Sequence, residues 1–182
     1  MTTDSGSRTL AMTAEQVLRE RAEALARETD DQERGDILSL LLFRVVDEQY
    51  AVEVSAVREI FQEYRVTPIP CVPDFVLGVI NIRGEILSVC DAARLMHLGS
   101  NRLDTDAARP AIVIEREDVA TALVVDEIGD IAEVRQEAVE PPVGSLDRAN
   151  AEFVCATVEI DGSLVSLIKA TRILEPITST RH

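Results

Sequence analysis

From residue 37 onward the chain is a succession of short apolar runs joined in pairs by turn residues, which restricts it to a fold assembled from β-hairpins. Residues 38–46 turn at Asp47-Glu48-Gln49 into 50–54, and 76–82 turn at Arg83-Gly84 into 85–89. Residues 111–115 turn through Arg116-Glu117-Asp118 into 119–125, and 154–160 turn at Asp161-Gly162 into 163–168. Asp161-Gly162 is the clearest signal, because the positive φ of that turn matches the twist of the strands it joins. Gly84 and Gly162 are therefore read as structural turn residues. Short helical pieces are expected at 55–61, at 91–98 with Asp91 as helix cap and Gly99 as terminator, and at 169–174 ahead of Pro176. Strand pair, small helix, strand pair, twice over, predicts two small β-barrels rather than one large sheet. With 3% aromatics and no Trp, their cores must be built from Val, Ile, Leu and Ala, which suit half-buried strands. The segment Val45-Val46-Asp47-Glu48 recurs as Val124-Val125-Asp126-Glu127, but at different places relative to its hairpins, so it does not establish an internal repeat.

Ahead of the hairpins the pattern is helical. Thr13 and Gln16 form a capping box, and residues 14–28 lack Gly and Pro, so an amphipathic helix is expected over 13–28. Its apolar stripe of Val17, Leu18, Ala22 and Leu25 is narrow; it either folds back on its own domain or docks on a partner. The expected organisation is a disordered start (1–12), that helix, a polar linker (29–36), a two-barrel domain (37–176) and a short tail (177–182).

Eighteen Lys and Arg against 33 Asp and Glu leave a net charge of −15, a surface that repels phosphate backbones and anionic headgroups, so nucleic acid is not an expected partner. No signal-peptide pattern opens the chain and no run of about 18 apolar residues interrupts it, which points to a cytoplasmic protein without direct membrane insertion. Cys71, Cys90 and Cys155 are odd in number and widely spaced, as expected of reduced thiols serving as small core residues. Neither His97 nor His182 stands at metal-ligand spacing, and no phosphate loop, nucleophile elbow or zinc-protease motif is present. No catalytic residue, metal ligand or cofactor is assigned. A ligand-binding or catalytic barrel remains the rival class, to be recognised by a pocket lined with polar groups.

The richest stretch runs from 67 to 99. Its three prolines, Pro68, Pro70 and Pro73, hold the backbone extended and exclude a central strand, so it reads as a rigid connector between barrels. Gly78 lies inside an expected strand, where a glycine marks the close approach of another group. Arg83 at the turn is either a solvated ion-pair partner or an interface anchor.

In order, Glu59-Ile60, Thr67-Pro68-Ile69-Pro70, Gly78-Val79-Ile80-Asn81-Ile82-Arg83-Gly84, Val89-Cys90-Asp91, Val124-Val125-Asp126 and Asp161-Gly162 resemble a CheW domain over residues 37–176. The resemblance implies a mainly β fold of two intertwined five-stranded Src-homology-type barrels with short connector helices and no catalytic activity. It implies an adaptor between the cytoplasmic tips of chemoreceptors and the regulatory domain of a CheA-type histidine kinase, recruited to membrane-associated receptor arrays. Val57, Gly78 and Arg83 match positions that the family uses for receptor binding, and Glu59 one that it uses for kinase binding. Ser88, Ala92, Ala122, Cys155-Ala156 and Lys169 depart from common family choices. These departures leave open a scaffold or antagonist of a non-flagellar pathway, with the N-terminal helix recruiting a further component.

Overall fold

The computed structural model describes residues 37–99, 109–142 and 152–179. The expected helix over 13–28 lies outside them. Among the described residues ten strands form two five-stranded sheets. The first, barrel A, has the order β8-β1-β2-β10-β9, and the second, barrel B, the order β3-β6-β7-β5-β4. Barrel A consists of β1 (Ile37–Val45), β2 (Glu48–Glu53), β8 (Glu127–Arg135), β9 (Val154–Ile160) and β10 (Ser163–Ile168). Barrel B consists of β3 (Val57–Phe61), β4 (Val76–Ile82), β5 (Glu85–Asp91), β6 (Ala111–Arg116) and β7 (Val119–Val124).

Each sheet closes the same way. The chain leaving β3 returns to β4, where Thr67 and Val79 exchange backbone hydrogen bonds of 2.8 and 2.9 Å. The chain leaving β8 pairs likewise with β9, where Glu140 and Thr157 exchange two bonds of 2.8 Å. The topology is thus a repeat, β1 to β5 and β6 to β10, in which each half donates its last three strands to the other half's first hairpin. Each barrel has two joints between the halves, β8 with β1 and β10 with β2 in barrel A and β3 with β6 and β5 with β7 in barrel B, and this makes the barrels intertwined; β10 with β2 and β5 with β7 are parallel pairs.

Three apolar clusters follow from strand alternation. Along β1, Leu38, Leu40 and Leu42 point into barrel A, while Leu41, Phe43 and Val45 point into a core shared by both barrels. On β6, Ala111 and Val113 fill barrel B and Ile112 and Ile114 face the shared core. Burial on both faces is why these strands read as unbroken apolar runs. The shared core also takes Leu95 of the short helix Ala92–Leu95 and Ile173 and Leu174 of the helix Ala170–Ser179. Each large side chain so buried contributes about 1.5–3 kcal/mol.

Four expectations are corrected. Residues 55–61 are not helical: a single 3-10 turn, Val54–Ala56, leads into β3, which pairs with β6 about fifty residues away. That distant partner leaves no local signal. Nor does the proline-bearing stretch join the barrels; it links β3 to β4 inside barrel B and supplies Thr67 for closure. The last helix runs past Pro176 instead of ending before it, anchored by the buried Ile173 and Leu174. All three thiols are free, but only Cys90 is a core residue; Cys71 and Cys155 are exposed.

Candidate functional site

Of the family-matched residues, Glu59 and Arg83 meet at the mouth of barrel B, where the β4–β5 turn leans against β3. Arg83 and Gly84 both have positive φ, 51° and 90°, and the Gly84 amide donates to Asn81 Oδ1 at 3.0 Å. This tight turn projects the Arg83 side chain outward, 85% exposed, with its guanidinium 3.6 Å from Glu59 on β3. Beside it Arg58 donates to Glu85 at 3.1 Å and stands within 3.7 Å of Glu59 and Glu115. The hydrogen bond to Glu85 and the surrounding carboxylates raise the Arg58 pKa above the ordinary guanidinium value, against the opposing effect of burial. Arg58 was not singled out in the sequence, because no local pattern shows that one cation will face three carboxylates from three strands. Val57 is half-buried, paired with Ile114 and packed on the shared core. Exposed Ile60 and Ile86 supply apolar surface on the same barrel.

Gly78 has a different setting. It sits at a β-bulge with φ +144°, and a Cβ there would lie 2.2 Å from the Thr67 carbonyl oxygen. The close approach expected at this glycine is therefore made by the chain's own backbone, at the bond that closes barrel B. Gly162, with φ +75°, forms the matching turn in barrel A, where a Cβ would meet nothing within 4 Å.

At the junction of the barrels, Asp91 is buried and does two things. Its Oδ1 accepts from the Arg94 amide at 3.0 Å, capping the helix Ala92–Leu95, and its Oδ2 accepts from Arg109 at 2.6 Å. Arg109 reaches Asp126 at 3.6 Å, and Asp126 accepts from the Val46 amide at 2.6 Å while its own amide donates to the Arg44 carbonyl at 2.9 Å. The two Val-Val-Asp-Glu segments thus meet, and Asp126 ties the end of β1 to the end of β7 through the backbone of Arg44 and Val46. On the shared-core face of barrel B, Thr121 donates to the Ser88 carbonyl at 3.1 Å and lies 3.7 Å from Cys90 Sγ. Burial pushes the Cys90 thiol up to about 11.

Among the described residues no group of three or more His, Cys, Asp or Glu is placed to hold a metal ion, and no helix is long and apolar enough to cross a membrane. A groove of about 740 Å³ opens at the mouth of barrel A, over Leu42, Val134 and Ile160. Its polar side chains are five carboxylates, Gln49 and Arg44, without a hydroxyl, thiol or imidazole among them. A ligand-sized pocket lined by polar groups is the feature expected of the rival class, and this groove is one whose polar groups are mostly carboxylates.

Residues 39–177 match the family model described as CheW-like domain. The chain is 31% identical over 130 residues to the chemotaxis protein CheW of Rhizobium meliloti, covering 71% of this chain and 83% of that protein. It is 28% identical over 135 residues to the protein FrzA of Myxococcus xanthus, covering 73% and 82%. The crystal structure of the scaffolding protein TtCheW from Thermoanaerobacter tengcongensis superposes with a TM-score of 0.65 at 25% identity, covering 72% of this chain and 88% of that one.

Proposed function

The chain belongs to the CheW-like domain family of chemotaxis scaffold and coupling proteins, and on that premise we propose that it is a non-catalytic adaptor joining chemoreceptor tips to a CheA-type histidine kinase. The observation that carries this reading is the convergence of Glu59 and Arg83, which lie 24 residues apart in sequence and 3.6 Å apart in space. Receptor binding is assigned to Val57, Gly78 and Arg83, with Gly78 acting by closing the barrel that presents the other two. Kinase binding is assigned to Glu59 and the neighbouring exposed apolar surface. Each contact is small, below about 1,200 Å² of buried surface, and becomes firm only when many are engaged together in an array.

The test mixes the purified chain with a receptor cytoplasmic fragment and a kinase regulatory domain, and measures binding for Arg83→Glu, Glu59→Arg and the double swap. Each single reversal is expected to weaken at least one partner by about tenfold or more, as truncating an interface anchor does. Undiminished binding of both partners in both single variants removes the assignment. A second reading, a scaffold or antagonist in a non-flagellar chemosensory pathway, is favoured by the similarity to the protein FrzA. Deleting residues 1–36 separates the two: receptor–kinase coupling survives the deletion under the first, and recruitment of a further component is lost under the second.

A further inference from the structure

The two barrels are topological copies, yet their mouths are finished differently. The closing bridges Thr67 with Val79 and Glu140 with Thr157 fix the correspondence: Val79 and Thr157 each stand four residues before their turn, at Arg83 and Asp161. On that register β3 matches residues 130–134 of β8, and Phe61 and Val134 both fill their barrel's interior. In barrel B the turn is tied to β3 by two ion pairs, Arg58 with Glu85 and Arg83 with Glu59. In barrel A the matching positions are Ile131 for Arg58 and Asp161 for Arg83. Neither cation has a counterpart. Asp130 and Glu133 on β8 instead line the groove together with Glu159 and Asp161 of the β9–β10 hairpin. Like charges lining one groove favour its opening, and a groove of about 740 Å³ opens at this mouth.

The groove also has an apolar side. Ile131 is 60% exposed, and Leu42, Val134 and Ile160 underlie it at the end of the barrel core. Five carboxylates line it against one guanidinium, that of Arg44, which is paired with Glu127. Strand β8 is the edge of its sheet. In an antiparallel arrangement residues two apart direct their backbone groups to the same side, so Glu159 directs its amide and carbonyl as Thr157 does, toward the β8 side of the barrel. A space flanked by two strand edges suits an extended segment.

We propose that the mouth of barrel A is a docking groove for an extended, cationic segment of a partner protein, in which Lys or Arg alternates with aliphatic residues. Its cations take the place that Arg58 and Arg83 occupy in barrel B, and its aliphatic side chains cover Ile131 and the end of the core. The site lies on the other barrel from Val57, Glu59 and Arg83, so it stands or falls separately from the receptor and kinase assignments. The rival explanation is that the acidic residues only guard a strand edge against self-pairing.

The probe is a fluorescein-labelled heptapeptide of alternating Lys and Val, titrated into the full chain by fluorescence anisotropy, beside a Glu and Val counterpart. Saturable binding of the Lys peptide alone is expected, weakened about tenfold or more by Asp130→Lys with Glu133→Lys. Glu117→Lys with Asp118→Lys, the same charge change on the exposed β6–β7 turn, is expected to leave affinity unchanged. Amide shifts in a ¹⁵N-labelled sample should fall on 129–134 and 159–161, and Ile131→Lys repeats the loss should the double variant misfold. The proposal is overturned by the absence of saturable binding, by equal loss in the two double variants (attraction to a net −15 surface only), or by shifts confined to other residues.

Discussion

Replacing Gly78 with Ala isolates the closure of barrel B from any partner contact. The added Cβ would sit 2.2 Å from the Thr67 carbonyl oxygen and 2.9 Å from Val66 Cγ1, so the Thr67 backbone would have to retreat by about 0.8 Å to reach even a 3.0 Å contact. Retreat breaks the two bonds between Thr67 and Val79, each worth about 0.5–1.5 kcal/mol net. Overpacking adds about 1–3 kcal/mol, and a side chain at φ +144° adds about 1–2 kcal/mol of backbone strain. The expected loss is about 3–8 kcal/mol, a large part of the roughly 5–15 kcal/mol that holds a domain folded. Gly84→Ala is the matched control, since its φ is +90° but nothing lies within 4 Å of the new Cβ, so only the strain of about 1–2 kcal/mol remains. Urea midpoints followed by circular dichroism measure both. Equal destabilisation of the two variants would refute the claim that Gly78 is needed for barrel closure. The outcome bears on function, because lost partner binding in a Gly78 variant then reports a loosened barrel before it reports a lost contact.

Asp91→Ala removes a helix cap and the partner of Arg109 together, and is expected to cost about 2–4 kcal/mol, whereas Asp91→Asn, which keeps an oxygen for the Arg94 amide, costs less; denaturant midpoints rank them. Thiol alkylation at pH 8 should modify exposed Cys71 first and Cys155, whose thiol burial pushes up, more slowly, while Cys90 reacts only on unfolding, as peptide mapping over time would show. Because the folded Cys90 pKa of about 11 exceeds the unfolded value of 9.0, its contribution is complete below pH 9 and is lost as pH rises toward 11, by about 2–3 kcal/mol at most. A Cys90→Ala chain should lack that part of the alkaline loss in a pH series of unfolding midpoints.

The four hairpins were legible because each carries its own turn and its own partner: β9 and β10 occupy 154–160 and 163–168, as the Asp161-Gly162 signal indicates. β3 and β8 were not. Each is the strand that leaves its own hairpin to join the other half, so its pairing partner is remote, and Gly129 with the acidic residues of β8 mask any period-two pattern. The candidate site shows the same division. Turn geometry at Arg83-Gly84 and the cap at Asp91 are local and could be read from residue types, while the Arg58 cluster and the Arg109 bridge exist only once distant strands meet. Gly78 was recognisable as a point of close approach, but its neighbour, Thr67, was identified only by the fold.

Reconstitution of receptor-containing membranes with a CheA-type kinase, with and without this chain, tests most directly whether its outer faces couple the two. Kinase autophosphorylation should rise when the chain is added and fall again with receptor ligand, and Arg83→Glu should abolish both responses while leaving the unfolding midpoint unchanged. Autophosphorylation that neither depends on the chain nor changes with Arg83→Glu would contradict the account.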